Sequence, residues 1–569
     1  MAPSFWASRP GSIVRPVLAS IILLGYSFAF LGTPGVVDYD EAAYAEVSRS
    51  MYASGDWVVP RLGDVEFFEK PVFLYWTHLL GYELFGVGAW GVRFFNALAA
   101  VALAVSVFLF ARRGLGERAA WIAALVMVTA CEPAVLARVA LTDTWLALWL
   151  TLCLGLFHRA DEQLRRGRSG AGPFFASCVC AGLAVLTKGA VGLVLPVAAV
   201  AAYLLVERRP WFVLRPRYLL PGAALALSVG GSWVLLVGFT HPQGFGFLAE
   251  LFGEHHVDRF LSAKQGHGGS ILYYVPVVLV GALPWTGALI WGVTERPWRR
   301  RGEGGRLVLL FSLLAIVALA FFSLAATKLP SYAGPVFPGI ALLVGASLAT
   351  ARPADAGGHA RAWRRVVHGT AGSFALLATA FLLLPAVLPR LPTWFAKAAA
   401  KAPGLLEPID LGALPWITGA LLAMGAVWVW RSGRKGSGTD FAIATGASFA
   451  VFVSILTQAW WPAYDDHFAR PLRTMAHCAA SEVPPGHRVV VLGLRHVPSI
   501  SFYGGRLTRY VSAKDRAGIA SLFAGPTSEI VITTEPILHD ALLPAAPAGR
   551  MQILARATGY VAVRCGARS

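Results

Sequence analysis

The chain has 569 residues, of which 56% are hydrophobic and only 14% charged, with a mean hydropathy of +0.60. A soluble domain carries about a quarter charged residues, so this composition excludes an ordinary soluble protein and points to one built for lipid. The formal charge of +18 does not argue for nucleic-acid binding, because the Lys and Arg residues gather in short loops between apolar runs.

Apolar stretches of roughly 17–25 residues, long enough to cross a bilayer, recur along most of the chain. Solid runs such as 97–110 and 311–326 do not read as the short alternating strands of a β-barrel. The expected architecture is an all-α polytopic membrane protein. In chain order, about 13 spans are expected, near 15–33, 90–111, 119–137, 143–158, 172–187, 189–206, 218–239, 271–292, 307–326, 331–350, 367–388, 411–430 and 440–461. The first run lacks a small-residue cleavage site followed by a soluble domain, and reads as an uncleaved span.

Orientation follows from the basic loops. Clusters stand at Arg112, Arg113 and Arg118; at Arg159, Arg165, Arg166 and Arg168; and at Arg208, Arg209, Arg215 and Arg217. They return at Arg296, Arg299, Arg300, Arg301 and Arg306, at Arg352, Arg361, Arg364 and Arg365, and at Arg431, Arg434 and Lys435. The intervening loops are poorer in Lys and Arg. By the positive-inside rule the N-terminus is cytoplasmic, and an odd number of spans puts the C-terminus outside.

The outer face then receives loops at about 34–89, 131–143 and 240–270. Loop one opens with Asp38-Tyr39-Asp40-Glu41-Ala42-Ala43-Tyr44-Ala45-Glu46 and later carries Glu69-Lys70-Pro71. Within it, 41–54 and 71–85 read as helices lying in the membrane interface. Loop two ends on Thr142-Asp143. Loop three holds Glu254-His255-His256-Val257-Asp258-Arg259-Phe260, then Lys264 and His267. A later outer turn reads Lys328-Leu329-Pro330-Ser331-Tyr332. Domain 1–464 is thus the membrane part. From 465 the composition turns soluble, and 465–569 reads as a small external α/β domain, with strands at 487–493 and 529–533, a helix at 512–523 and a hairpin at 551–563. It has no Gly-rich phosphate loop.

Asp40, Glu41 and Asp143 are carboxylates at a bilayer surface, able to act as a general base or to hold a divalent cation. The plain alternative for Asp143 is a helix N-cap. Glu69, His256 and His267 are of metal-ligand type without compact spacing. Lys70, Arg259, Lys188 and Lys328 are cations outside the cytoplasmic clusters, and a lipid-linked phosphate needs such partners; snorkelling to headgroups explains any one of them alone. Cys153, Cys178 and Cys180 fall in apolar runs as small hydrophobes. Cys478 and Cys565 bracket the external segment, where an oxidising compartment would permit a disulfide.

Asp40-Glu41-x-x-Tyr44-Ala45-Glu46, Ser54-Gly55-Asp56-Trp57-Val58-Val59-Pro60 and Phe68-Glu69-Lys70-Pro71 resemble the first external loop of GT-C membrane glycosyltransferases. The likeness is to the bacterial transferases that move 4-amino-4-deoxyarabinose from undecaprenyl phosphate to lipid A, and to their protein O-mannosyltransferase-like relatives. Leu186-Thr187-Lys188-Gly189, Glu254-His255-His256-x-x-Arg259-Phe260, Tyr273-Tyr274-Val275-Pro276, Leu283-Pro284-Trp285 and Lys328-Leu329-Pro330-Ser331-Tyr332 continue it in order, over about residues 15–345.

The resemblance implies a polyprenyl-phosphate-sugar donor, a lipid or protein acceptor at the periplasmic face, and residence in a bacterial inner membrane. It implies Asp40 as catalytic or acceptor-orienting carboxylate with Glu41 and Asp143 as acidic partners, Lys70, Tyr332 and Arg259 on the donor phosphate, and Glu69, His256 and His267 as a zinc site. Two positions depart from the aminoarabinose enzymes. Ala43 replaces an Arg, and Gly268-Gly269-Ser270 lacks a basic residue, which leaves sugar and acceptor open. The rival class is a secondary transporter or lipid flippase. That class places charges near the bilayer midplane on paired, interrupted helices, whereas these charges lie at one face.

Overall fold

The computed structural model of the protein describes residues 26, 28–209, 216–249, 251, 269–351, 358–390, 409–434, 437–484, 487–494, 496–525 and 527–566. His256, Arg259, Lys264 and His267 lie outside them. Among the described residues, seven helices are long and apolar enough to cross a membrane, or up to eight if a bent pair counts as one span.

The outer loop holds α1 (Asp40–Ser54) and α2 (Phe73–Phe85), joined through a short hairpin of β1 (Arg61–Leu62) and β2 (Val65–Glu66). α1 opens with Asp40 and Glu41 in its first turn, where carboxylates oppose the helix dipole, and ends at Gly55, whose φ of 71° only glycine adopts without strain. α1, expected with α2 in the membrane interface, is enclosed by protein: Ala42, Ala45 and Val47 are buried, and the Tyr82 hydroxyl from α2 donates to the Ala45 carbonyl at 2.9 Å.

The bundle follows as α3 (Ala89–Leu115), α4 (Glu117–Thr129), the short α5 (Cys131–Leu136), α6 (Thr142–Arg165), α7 (Ala171–Lys188), α8 (Val191–Val206) and α9 (Pro216–Thr240). After the outer loop come α10 (Tyr274–Gly281), α11 (Thr286–Glu295), α12 (Glu303–Leu324) and α13 (Phe337–Leu348), then α14 (Gly358–Val387) and α15 (Leu414–Arg434). The apolar stretch 271–292 reads as one span, yet α10 and α11 meet at a 108° bend. Pro284 stands in the break, where it removes a backbone donor. Near the other end of the bundle, a Cβ on Gly304 would sit 2.3 Å from the Gly114 carbonyl oxygen, so small residues let α3 and α12 approach closely.

α16 (Gly438–Glu482) is one helix of 45 residues, interrupted only by π-turns at Leu456–Trp460 and Asp465–Ala469. At 1.5 Å per residue it is about 68 Å long, more than twice the hydrocarbon core. The helix therefore runs straight through position 465, where the composition changes. Beyond it lie β3 (Val489–Leu492), α17 (Pro498–Gly504), β4 (Thr508–Val511), α18 (Arg516–Ala524), β5 (Glu529–Thr534), β6 (Met551–Ala557) and β7 (Tyr560–Cys565). The sheet order is β4-β3-β5-β7-β6, with β3 parallel to both its neighbours and the last hairpin antiparallel.

The end of α16 and α17 cover one face of that sheet, with Met475 and Ile500 against Val489 and Val491. α18 covers the other, with Leu522 against Val490 and Leu492. Cys478 packs on the first face and Cys565 on the second. With the sheet between them they form no disulfide, and both are free thiols. Alkylation of denatured protein without reductant should therefore label Cys478 and Cys565 fully; a peptide linking them in non-reducing mass spectrometry would contradict this packing.

Candidate active site

Arg93, in the first turns of α3, is 1% exposed and spends its guanidinium on loop one. Its Nε and Nη2 donate to the two Glu41 carboxylate oxygens at 2.8 and 2.7 Å, and its remaining donors reach the carbonyls of Leu31, Pro34 and Gly35. The Glu41 carboxylate also accepts from the Val37 N–H at 2.8 Å and the Ala140 N–H at 2.9 Å. Burial acts to raise the Glu41 carboxyl, but Arg93 and the two amides outweigh it and hold it below its ordinary value. Sequence reasoning grouped Glu41 with the reacting carboxylates. The structure puts it instead at a junction that fixes Asp40, its neighbour, and the turn leading into Asp143.

Asp143 lies in the first turn of α6, whose N-cap is Leu141 with no side-chain cap. The N-cap alternative is thereby set aside. The Asp143 carboxylate instead meets Lys188, the last residue of α7, at 2.5 Å. The Lys188 ammonium also sits 4.4 Å from the centre of the Tyr332 ring, a cation–π distance. Tyr332 belongs to a 3-10 turn, Pro330–Val336, which Tyr274 steadies by donating to the Leu329 carbonyl at 3.2 Å.

Glu69 and Lys70 arrive from the β1–β2 side. Phe68, just before them, is buried against Trp233 and Phe247, and the Trp233 indole donates to the Val58 carbonyl at 2.8 Å. That anchor leaves Lys70 beside Glu69 at 2.9 Å. Asp40, Glu69, Lys70, Asp143, Lys188 and Tyr332 all line one cavity of about 50 Å³. Such a volume holds a few waters. Lys328 lies behind the wall, donating to the Ala325 carbonyl at 2.5 Å.

The structure brings Asp40, Asp143, Lys70 and Tyr332, which sequence reading grouped, to one cavity. That reading noted Lys188 as a cation out of place but did not pair it with Asp143, because residues 45 apart carry no signal of contact. His256, Arg259 and His267 lie outside the described residues. Among the described residues no group of three His, Cys, Asp or Glu side chains is placed to hold a metal.

Bundle, outer loops and cavity together define a helical membrane protein with a polar cavity at its helix ends. Residues 12–236 match the family model of dolichyl-phosphate-mannose-protein mannosyltransferases. An undecaprenyl phosphate-α-4-amino-4-deoxy-L-arabinose arabinosyl transferase of Edwardsiella ictaluri is 36% identical over 310 residues, 54% of each chain. A second such transferase, of Sodalis glossinidius, is 32% identical over 429 residues, 74% of this chain and 73% of that one. The chain thus spans between about half and three-quarters of these relatives. The crystal structure of ArnT from Cupriavidus metallidurans bound to undecaprenyl phosphate superposes with a TM-score of 0.75 at 25% identity, covering 97% of this chain and 98% of that one. The chain belongs to the ArnT-like, PMT-type family of membrane glycosyltransferases.

Arg93→Ala should leave Glu41 buried and unpaired, which typically costs about 3–5 kcal/mol. The expected result is a clear fall in the melting temperature of detergent-purified protein, with Glu41→Gln destabilising in the same sense. A melting temperature unchanged in both variants would remove the junction from its place in the fold.

Proposed function

We propose that the chain is a glycosyltransferase that moves a sugar from an undecaprenyl-phosphate-type donor to a lipid or protein acceptor at the outer face of the membrane. The observation that carries this is the convergence of two aspartates with two lysines and a tyrosine in one cavity at the ends of α6 and α7. The relatives' names point to an aminopentose as the sugar, and the resemblance read from the sequence makes lipid A-like molecules the first acceptor class to test. The same reading has about 13 spans, a cytoplasmic N-terminus, an external α/β domain and a bacterial inner-membrane location.

In the proposed reaction the bond between the anomeric carbon and the donor phosphate oxygen breaks, and its electron pair leaves on the phosphate. A new bond forms from that carbon to an acceptor oxygen, whose proton passes to Asp40. Asp143 keeps Lys188 in place until the donor phosphate arrives. Lys70, Lys188 and Tyr332, with Arg259, then stabilise the charge that grows on the leaving phosphate, which is the main electrostatic demand of the step. A transporter needs its charges near the midplane; these stand at helix ends.

Glu69, His256 and His267 supply one carboxylate and two imidazoles, a donor set that suits zinc with a position left open. Glu69 borders the cavity, so a metal held there would add positive charge beside Lys70. Two expectations follow from these assignments. Asp40→Asn should lose transfer of radiolabelled sugar from a polyprenyl phosphate donor by about 100-fold or more, the scale of a lost general base, while still binding the donor; full activity in Asp40→Asn would end the reading, as would sugar movement across liposomes without covalent transfer. For the metal, elemental analysis of purified protein should find one zinc per chain, lost in His256→Ala. Finding none, with His256→Ala fully active, would remove the metal and leave the transferase.

A further inference from the structure

A second cavity, of about 480 Å³, lies between the C-terminal sheet and the outer loop. Its volume is in the range of small-molecule sites. Three independent features converge on it. The first is topology. β3 leads through α17 to β4 on one side, while β5 leads to β7 and β6 on the other. Between the carboxyl ends of β3 and β5 the chain therefore diverges, and open α/β sheets bind ligands at such a switch point. Gly493 and Leu494, after β3, and Thr534 and Ile537, at the end of β5, line the cavity.

The second feature is a break in helical regularity. The π-turn Asp465–Ala469 supplies Phe468 and Ala469 to one wall, and Ile537 stands immediately before the π-turn Leu538–Leu542. π-turns cost helical stability and collect at functional sites. The third is chemistry. Tyr464, Phe468 and Tyr560 offer aromatic faces, while Asp38, Ser499 and Thr534 offer polar edges. The charged side chains in the lining are Asp38 and Arg473. Arg473 is already neutralised by a two-pronged pair with Asp465, so among the described residues the wall presents no spare cation for a phosphate. Asp38 is exposed to the cavity and accepts hydrogen bonds from the Ser499 N–H, at 3.0 Å, and hydroxyl. The protein packed around it lifts its carboxyl to about 6, against the pull of those two bonds.

We propose that this crevice is the subsite for the acceptor's carbohydrate, taking a neutral or amino-substituted sugar ring stacked on the tyrosines and hydrogen-bonded by Asp38. The proposal rests on the transferase reading above. Residues 36–38 face the crevice, while Tyr39 and Asp40 line the catalytic cavity. One short stretch thus has a cavity on each flank. Asp38 and Asp40 are two residues apart, at most about 7 Å of chain, so a glycan held by one can present its oxygen to the other.

The test uses the full chain in nanodiscs, with glucosamine and N-acetylglucosamine as probes in saturation-transfer NMR. Ala469→Trp fills the crevice and Tyr560→Ala strips one stacking face, and neither touches the catalytic cavity. The expected result is saturable sugar binding that Ala469→Trp abolishes and Tyr560→Ala weakens, with undecaprenyl phosphate binding and melting temperature kept. In the transfer assay, acceptor KM should rise by about tenfold or more with donor KM unchanged. Sugar that binds neither form, or binds both variants as it binds the parent, overturns the proposal, as does an unchanged acceptor KM in both variants. Sugar binding lost in Ala469→Trp in a chain that shows no transfer supports the crevice and overturns the transferase reading, so the two fail separately.

Discussion

A single buried ion pair, Arg93 with Glu41, organises the outer face of this protein. Desolvating a guanidinium and a carboxylate is expensive, and the geometry offsets that cost only because every strong donor and acceptor is used. Arg93 spans from the start of α3 to three carbonyls of the loop that precedes α1. Glu41 reaches the Ala140 amide, three residues before Asp143. One pair therefore sets the relative position of two stretches 99 residues apart, and with them both aspartates of the cavity. Its value lies in placement more than in stability, since an apolar substitute of similar shape would pack without the directional bonds.

Within that frame the cavity is a balanced electrostatic device. Asp143 and Lys188 neutralise one another at the ends of adjacent helices, and Glu69 does the same for Lys70. An ammonium already paired with a carboxylate is kept from solvent and ready for a better partner. A phosphate group is such a partner. The face of Tyr332 below Lys188 restrains the ammonium without adding a formal charge. Positive charge is thus stored in neutral pairs, tolerable at the edge of a low-dielectric layer.

How much of this was legible in the sequence depends on the range of the signal. Local periodicity and turn chemistry carried the α1 and α2 ranges, the β5 strand and the closing hairpin to within a few residues, because those elements are specified by neighbours. The arginine clusters put Asp40, Lys70, Asp143 and Tyr332 on one expected side of the membrane, and the structure lines one cavity with all four. What the sequence did not carry was partnership. Glu41 looks like Asp40 in one dimension, and only Arg93, 52 positions away, separates an anchor from a reacting group. β4 was missed because Thr508-Arg509-Tyr510-Val511 is half exposed and lacks the apolar run of its neighbours. Hydropathy likewise read 271–292 as one span, since the bend at Pro284 leaves the apolar content unchanged.

The loop that carries Asp40 also receives contacts from the far end of the polypeptide. The Gly35 amide donates to Asp465, 430 residues later, and Asp38 is gripped by Ser499, 461 residues later. A ribosome adding about 5–20 residues per second reaches those partners roughly 20–90 s after the loop itself has emerged. Throughout that interval the nascent chain is still adding its bundle helices and lacks the clasp that closes over its first loop. The first loop therefore takes its final shape only once residues 465 and 499 have been made, and a product truncated before them would carry the aspartates without the shape that aims them.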